Sequence, residues 1–513
     1  MTSEQVPPRR PGMGRGSQTF ARGGALNLAG ALVQQGALFA VLAILATSLG
    51  AADLGRYSLL YGMLALLSLL GLAGFRAGMT RFVAIYLADD DPARLRGTVR
   101  LGMGITVVGS SALSVGLALA APAVATFYRD PALADGVRIM ALTLPATTIG
   151  DAALAATQGW RSQLEYTLIG RFLDPLTVLG LTGLAVLMGL GLNAALWAVA
   201  AGAWLAAVLS VAALLRRLRW VPRARPVIEA RAIFSFSMVS WVSALAATGL
   251  IWSGTLMLGR LADQESVGIF TVAARLVTLA VFVMAPITNA FSPHMAHLAH
   301  LGRTEDAARA YGTATRWILA ASLPAFVLLI TFAEPLLWRF GEGFTTGALV
   351  TVILALGQLV AAAAGPCGVV LNMSGRVVLS MVDNIGVLIL NIVLTLLLVP
   401  PLGIVGAALA WSTSLVVVNV TKVLQVYWVL GIVALGARIA PLLLVSLPPA
   451  AVGLVVRVLV EDPGVALAVG VPLVIAVQVP LLLRFGLAPE DRTALRAVLA
   501  KTGRVGLGKT PVT

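Results

Sequence analysis

Charge is scarce in this sequence, and so are cysteine and lysine. Only 11% of the 513 residues are charged, whereas soluble domains carry about 25%. A soluble globular protein is therefore excluded. The single cysteine, Cys367, lies in an apolar stretch, which excludes disulfides within the chain and a cysteine-rich metal site. Three lysines stand against 33 arginines, a bias that we attribute to genome base composition.

Sequence motifs of enzymes are also missing. The chain has no Gly-rich phosphate loop, no nucleophile elbow, no Walker motif and no paired acids at an aqueous face. The longest predicted outer connections, around 121–136 and 335–345, are too short to hold a soluble domain. Because a membrane enzyme acting on glycans usually presents carboxylates on a large outer loop, we predict no enzyme. We also predict no cofactor and no metal site.

Long apolar segments dominate what is present. Hydrophobic residues make up 59% of the chain, and the mean hydropathy is +0.95. The segments are continuous and long enough to cross a hydrocarbon core of about 30 Å. We therefore predict an all-α integral membrane protein with fourteen transmembrane spans. They lie at about 25–49, 57–78, 98–120, 136–158, 167–188, 193–215, 233–257, 268–290, 314–334, 346–370, 377–399, 404–430, 437–459 and 465–484.

Basic residues are concentrated on one side of these spans. With both termini on that side, it holds 28 of the 36 Lys and Arg residues, whereas the other side holds six. Such a bias marks the cytoplasmic side, so we predict a cytoplasmic-membrane protein of bacterial type with both termini in the cytoplasm. The largest inner loop, Arg216–Arg231, is predicted to touch anionic headgroups. Because its flanks are apolar, we predict no nucleic-acid partner.

The sequence contains an internal repeat at a shift of about 213 residues. Leu54-Gly55 falls on Val267-Gly268, and Leu190-Gly191 falls on Leu402-Gly403. Six spans in each repeat, an even number, predict two parallel six-helix lobes related by an axis along the membrane normal. Two C-terminal spans are additional. The predicted domains are a disordered basic tail (1–22), an N-lobe (23–215), a basic linker that tethers the lobes (216–232), a C-lobe (233–430), the extra spans (431–484) and a cytoplasmic tail (485–513).

Three segments carry a family resemblance. They read LGAADLGRYSLLYGMLALLSLLGLAGFRAGMTRFVA (49–84), ALAATQGWRSQLEYTLIGRFL (153–173) and EPLLWRFGEGFTTGALVTVILALG (334–357). The first has a short outer Gly-x-Tyr turn, then a second helix with an arginine near its inner end. These segments resemble the polysaccharide-transport family of oligosaccharide (O-antigen) flippases, which shares a superfamily with multidrug/toxic-compound extrusion pumps and peptidoglycan-precursor flippases.

The resemblance implies a two-lobed transporter with a central cavity lined by spans 1, 2, 7 and 8. It further implies that the protein moves an isoprenoid-diphosphate-linked oligosaccharide from the inner to the outer leaflet by alternating access, in cell-surface polysaccharide biosynthesis. The implied partners are the lipid-linked oligosaccharide, membrane lipids, and glycan polymerases and glycosyltransferases. We weigh this function against a multidrug/toxic-compound pump, an integral-membrane polysaccharide polymerase and a scaffold that does not transport.

Arg275 is the first candidate for substrate binding. It lies about seven residues into span 8, hence roughly 10 Å below the outer boundary of the membrane. A charged side chain that faces lipid at this depth is unfavourable. We predict that Arg275 faces the cavity and binds phosphate. The alternatives are an outward snorkel and a pair with an acidic residue.

Two further arginines, Arg76 and Arg81, lie near the inner end of span 2. Both are candidates for meeting the diphosphate at the inner entry, because a guanidinium binds phosphate oxygens in a fork geometry. The alternative is positive-inside anchoring, which we favour for Arg81.

Uncharged polar and aromatic residues complete the predicted substrate site. Asn27, Gln34 and Gln35 interrupt the apolar sequence of span 1. They are candidates for hydrogen bonds to sugar hydroxyls, and the alternative is a bond to a neighbouring helix. Trp252 and Trp241 in span 7 are candidates for stacking on sugar rings, although membrane tryptophans usually belong to an interfacial belt.

The remaining charged residues in spans receive structural assignments. Arg171 and Asp174 are three residues apart, a spacing suited to an intrahelical pair. Asp383 and the other carboxylates are candidates for a coupling proton or sodium ion, but we favour structural pairing. Lys422 is predicted to snorkel to the inner face.

Overall fold

The computed structural model describes residues 13–160, 162–282, 284–432 and 439–486. Helices occupy almost all of these residues, and none of them lies in a strand. The helices of the first half are α1 (Met13–Leu72), α2 (Phe75–Ala88), α3 (Pro92–Phe127), α4 (Leu133–Gln158), a π-helix (Tyr166–Leu173), α5 (Asp174–Leu187) and α6 (Leu192–Arg219). α1 thus begins before the predicted end of the disordered tail at 22. The predicted C-terminal tail from 487 onward lies outside the described residues.

The second half is equally helical. It comprises α7 (Ala230–Leu261), α8 (Gln264–Ala280), α9 (Met284–His300), α10 (Thr304–Thr331), α11 (Ala333–Trp338), a 3-10 helix (Glu342–Gly347), α12 (Ala348–Ala364), α13 (Cys367–Met373), α14 (Val377–Leu430), α15 (Ile439–Val445), α16 (Leu447–Leu459), α17 (Pro463–Leu481) and a short π-helix (Leu482–Gly486).

The membrane-spanning character of these helices is confirmed. In the described part of the chain, eleven helices are long and apolar enough to cross a membrane. The number is twelve if α8 and α9, bent by 48°, form one span. Fourteen spans remain a prediction. The predicted second span (57–78) is broken, because Ala73 and Gly74 have positive φ angles of 44° and 75° and end α1.

Two helices are long enough for more than one crossing. α1 is broken at Gly50 (φ 81°) and α14 at Gly403 (φ 55°), conformations that glycine adopts without a Cβ clash. In α14 the chain reverses at the break. The evidence is a hydrogen bond across it, which Gln425 Nε2 donates to Asp383 Oδ1 at 2.7 Å. A straight helix would hold residues 42 positions apart about 63 Å from each other. α14 is therefore a helical hairpin.

Helix boundaries follow the predicted repeat. A shift of 213 places Gly50 of α1 on Asp263, in the connection between α7 and α8. The reverse shift places Gly403 of α14 on Leu190, in the connection between α5 and α6. The start of α3 at Pro92 falls one residue from the start of α10 at Thr304. Each half thus contains the same succession of helices, which supports the two parallel repeats.

A reciprocal close approach links equivalent positions of the two repeats. A Cβ placed on Gly55 would lie 1.7 Å from the carbonyl oxygen of Gln264, and a Cβ on Gly268 would lie 2.0 Å from that of Ala51. At the shift of 213, Gly55 corresponds to Gly268 and Ala51 to Gln264. The second segment of α1 therefore crosses α8 with backbones in contact, in a symmetric arrangement that only glycine permits.

The described residues group into two compact units. The first contains the residues up to Ile44, Leu67–Val124 and Pro131–Trp241, and its core includes Phe75 and Met79. The second contains Leu45–Leu66, Ala125–Asp130 and the residues from Val242 onward, with a core that includes Phe326 and Leu354. The boundaries of these units fall inside α1, α3 and α7, so they differ from the predicted lobe boundaries, which stay a prediction.

The basic linker is held against the first unit. The Arg96 guanidinium, in the second turn of α3, donates hydrogen bonds to the backbone carbonyls of Leu218 (3.1 Å), Val221 (2.7 Å) and Pro222 (3.0 Å). These carbonyls belong to the end of α6 and the residues after it, where the regular i→i+4 hydrogen bonds of the helix stop. The linker predicted to be a tether is thus fixed along α3.

Ion pairs strengthen the attachment at both ends of the linker. Glu229 accepts a hydrogen bond from Tyr86 (2.6 Å) and pairs with Arg94 (2.9 Å). Burial and the bond to Glu229 raise the pKa of Tyr86 to about 12. At the other end, Arg217 Nε donates to Glu165 at 3.0 Å. Burial alone would raise the pKa of Glu165, but its hydrogen bonds lower it below the usual value.

Replacing Arg96 by alanine is expected to release the linker. Losing hydrogen bonds from a charged donor costs about 1.5–3 kcal/mol, which raises the locally open population roughly tenfold or more. The measurement is trypsin cleavage of the purified protein at the exposed Arg223–Ala224 bond. Arg100→Ala, an exposed arginine of the same helix, is the control and should cleave like the wild type. Equal cleavage of Arg96→Ala and wild type would contradict the attachment.

Candidate functional site

Arg275 lies on α8 in the second unit and is half-buried. Within the described residues it makes no ion pair and no hydrogen bond, so the expected alternative of an acidic partner is not what the structure shows. The groups that interact with it electrostatically are the phenols of Tyr61 and Tyr57. A cation with neutral aromatic neighbours keeps its donors available for an anion.

The aromatic neighbours of Arg275 form a short ladder. The rings of Tyr57 and Tyr61, one helical turn apart on α1, stack with centroids 6.0 Å apart. The Tyr61 ring lies 5.8 Å from the Trp252 ring of α7. Trp252 packs directly on α1, since a Cβ on Gly62 would lie 2.6 Å from its ring. This cation-and-aromatic group combines phosphate-binding donors with flat apolar surfaces and phenol hydroxyls.

A second group of polar side chains lies in the first unit, around Tyr166. Arg76 Nη2 donates to the Tyr166 hydroxyl at 3.2 Å, and Arg76 Nη1 lies 3.6 Å from Asp151 Oδ2. A charge-assisted hydrogen bond is usually about 2.7–2.9 Å long, so the pair with Asp151 is loose. The Arg76 side chain remains 44% exposed. Its guanidinium can therefore exchange the carboxylate for another anion.

Arg171 completes this second group. Its guanidinium lies 5.2 Å from the centre of the Tyr166 ring, close to the 5.7 Å of Arg76, so two cations flank one tyrosine. Arg171 Nη1 donates to the backbone carbonyl of Asn27 at 2.9 Å and also to the Asn27 side-chain oxygen. Its Nε is buried without a partner in the described part of the chain. Asn27 thus orients an arginine.

The predicted intrahelical pair between Arg171 and Asp174 is wrong, because Arg171 turns to Asn27. The reason is the π-helix Tyr166–Leu173. Its i→i+5 hydrogen bonds change the winding, so that residues three apart no longer lie over one another as they do in an α-helix. π-helical turns occur frequently at functional sites.

The other candidates from the sequence lie apart from these two groups. Arg81 is exposed, and its guanidinium lies 4.3 Å from the centre of the Phe236 ring. Gln34 and Gln35 are half-buried on α1 and make no hydrogen bond within the described residues. Trp241 Nε1 donates to the carbonyl of Leu69 at 2.8 Å, which makes it a structural tryptophan.

Sequence reasoning missed three members of these groups: Tyr57, Tyr61 and Tyr166. Asp151 was among the carboxylates for which structural pairing was favoured, and it pairs with Arg76. The spacing of Tyr57 and Tyr61 by one turn, on a helix expected to line the cavity, was an available signal. For Tyr166 there was none, since its partners Arg76 and Arg171 meet only through tertiary packing.

Fold and site together define a polytopic helical membrane protein of two parallel repeats, with half-buried arginines beside aromatic rings. The sequence model of the family described as "Polysaccharide biosynthesis protein" matches residues 20–299, more than half of the chain. The chain belongs to this family. A second family, described as MatE, matches residues 234–397.

Individual relatives agree with this placement. A protein of Haloferax volcanii described as a "Probable low-salt glycan biosynthesis flippase Agl15" is 24% identical over 193 residues, which are 37% of this chain and 40% of that protein. The chain thus matches about two fifths of that relative's length.

Two solved structures share the fold. The lipid II flippase MurJ in an inward closed conformation superposes with a TM-score of 0.68 at 12% identity, over 91% of this chain and 97% of that one. A multidrug resistance transporter of the MATE family in an inward-facing conformation gives 0.66 at 14% identity, over 80% and 98%. These two proteins belong to the two classes that the sequence analysis named as relatives, the extrusion pumps and the peptidoglycan-precursor flippases. The predicted two-lobed MATE-like fold is therefore confirmed.

Proposed function

We propose that the protein is a flippase that moves a lipid-linked oligosaccharide across the membrane and catalyses no covalent step. The observation that carries the proposal is Arg275, a half-buried cation without an acidic partner among the described residues and beside stacked tyrosines. A phosphate-linked glycolipid offers an anion for the guanidinium and sugar faces for the rings. The family to which the chain belongs, and the relative named a glycan biosynthesis flippase, support the same substrate class.

We assign the charged headgroup, an isoprenoid-linked diphosphate, to the arginines. Phosphate charges are unfavourable in hydrocarbon, so a flippase must offer fixed cations along the path. Arg76 and Arg171 flank Tyr166 in the first unit, and Arg275 supplies a cation in the second. Because the Arg76–Asp151 pair is loose at 3.6 Å, an incoming phosphate can displace the carboxylate. We assign Arg81 to anchoring the inner end of the predicted second span.

The oligosaccharide is assigned to the uncharged groups. Gln34 and Gln35 keep their amides without hydrogen bonds in the described part of the chain, and Trp252 and Tyr61 present ring surfaces.

Two parallel repeats suit transport by alternating access. We further propose a bacterial cytoplasmic membrane with cytoplasmic termini, and glycosyltransferases and a glycan polymerase as the enzymes that supply and consume the substrate.

A multidrug pump is the second candidate, because the MatE family matches residues 234–397. A transport assay separates the two. The purified protein is placed in vesicles that contain a polyprenyl-diphosphate oligosaccharide, and the glycan reaching the opposite leaflet is measured by enzymatic release. We expect transfer above protein-free vesicles, with no uptake of a cationic dye. Dye uptake without glycolipid transfer would establish the pump and remove the flippase.

A further inference from the structure

A half-buried acid–amide pair joins the two segments of the α14 hairpin. Asp383 lies on the segment before Gly403 and Gln425 on the segment after it. Gln425 Nε2 donates to Asp383 Oδ1 at 2.7 Å, a short hydrogen bond between side chains of apolar helices. Neither the substrate site nor the proposed headgroup path uses this pair.

Each partner of this bond has a second oxygen that is buried without any hydrogen bond to the residues that the structure describes. These oxygens are Asp383 Oδ2 and Gln425 Oε1. With Asp383 ionised, both are acceptors, and neither can satisfy the other. Buried polar atoms normally have a partner, so two unpaired acceptors on one hydrogen-bonded pair require an explanation. One added proton converts Oδ2 into a donor, for which Gln425 Oε1 is an acceptor on the same pair.

The surrounding charges do not supply the missing partner. Lys422, one turn before Gln425, donates to Asn384 Oδ1 at 3.0 Å rather than to Asp383. The thiol of Cys367 on α13 interacts with both Lys422 and Asp383, and Tyr311 on α10 interacts in turn with Cys367. Among the described residues, Asp383 therefore lacks the direct cationic partner that an ionised carboxylate needs inside a membrane.

We propose that Asp383 binds a proton, which Oδ2 donates to Gln425 Oε1, and that exchange of this proton is the ion-coupling step of transport. Loss of the proton leaves a carboxylate that attracts the Lys422 ammonium away from Asn384. Because Asp383 and Lys422 stand on opposite segments of the hairpin, proton exchange changes how the segments are joined. The coupling rests on the proposed flippase function, whereas the protonation does not.

The protonation is tested by infrared spectroscopy of the full-length protein in membranes at neutral pH, with isotope-labelled aspartate. Asp383→Asn is expected to remove a band of protonated carboxyl. Asp53→Asn, which removes an acid paired with Arg56 at 2.7 Å, is the control and should remove only a carboxylate band. Gln425→Leu should shift the carboxyl band, because the carboxyl then loses its amide partner. A carboxylate band lost in Asp383→Asn, or no shift in Gln425→Leu, overturns the proton site.

The coupling is tested in vesicles with an imposed proton gradient. Wild-type transfer of the glycolipid should change when the gradient is reversed. Asp383→Asn, which cannot exchange the proton, should transfer at one rate in both directions of the gradient. Equal gradient dependence in the variant and the wild type overturns the coupling. Absence of wild-type transfer would instead remove the flippase function and leave the infrared result unaffected.

Discussion

Arg275→Ala is expected to lower glycolipid transfer by at least about tenfold, which corresponds to the loss of one hydrogen-bonded interaction with a charged group. Arg275 makes no ion pair within the described residues, so the substitution leaves no orphaned carboxylate and the protein should still insert. Transfer is measured in vesicles and normalised to the amount of inserted protein. The effect therefore reports substrate binding rather than folding.

Two further variants sharpen the test of Arg275. Arg275→Lys keeps the charge but loses the planar fork, so partial transfer is expected. Arg339→Ala removes an exposed arginine at the end of α11 and serves as the control, with wild-type transfer. If Arg275→Ala transfers the glycolipid as fast as Arg339→Ala does, Arg275 is not part of the substrate path.

Gly55→Ala is expected to destabilise the protein by about 1–3 kcal/mol, the range for overpacking a close-packed contact. The added Cβ would lie 1.7 Å from the backbone oxygen of Gln264, which no rotamer change can relieve. Alanine favours a helix over glycine by about 1 kcal/mol, so the steric effect must exceed this gain. Thermal unfolding measures the result, and Gly268→Ala should behave alike because its contact with Ala51 is equivalent.

Gly116→Ala is the matched control for the glycine crossing. Gly116 lies within α3, and a Cβ there would have no atom within 4 Å. This variant should melt at or above the wild-type temperature, as helix propensity alone predicts. A Gly55→Ala protein that melts as high as Gly116→Ala would show that α1 and α8 do not cross with their backbones in contact.

Several features of the fold followed from the sequence because they depend on one chain segment at a time. The length of an apolar segment identifies a helix that can cross a membrane, since such a segment is stable as a helix in the hydrocarbon core. The 213-residue repeat also holds in detail, down to Gly55 and Gly268 meeting each other's helices. The positions at which helices break were harder to predict. The positive φ of Ala73, next to Gly74, ends α1 inside the predicted second span.

The candidate site was predicted in part. Arg275 and Trp252 lie beside the tyrosines of α1, and Arg76 and Asn27 both belong to the group around Tyr166, although Asn27 serves by holding Arg171. The roles of these residues in substrate binding remain a proposal. Arg171 was assigned to the wrong partner, because a π-helix cannot be recognised from a spacing of three residues.

The sequence by itself determined that the protein is helical, spans the membrane many times, repeats once, and belongs among transporters of this fold. The first three properties arise from hydropathy and from the 213-residue repeat, whereas the transporter class came from the resemblance of three segments to a known family. Only the tertiary structure decided which polar groups meet: Arg171 with Asn27, 144 residues away, and Gln425 with Asp383, 42 residues away. The physical reason is that apolar helices pack in many rotations of similar energy, and the rotation chooses the partners.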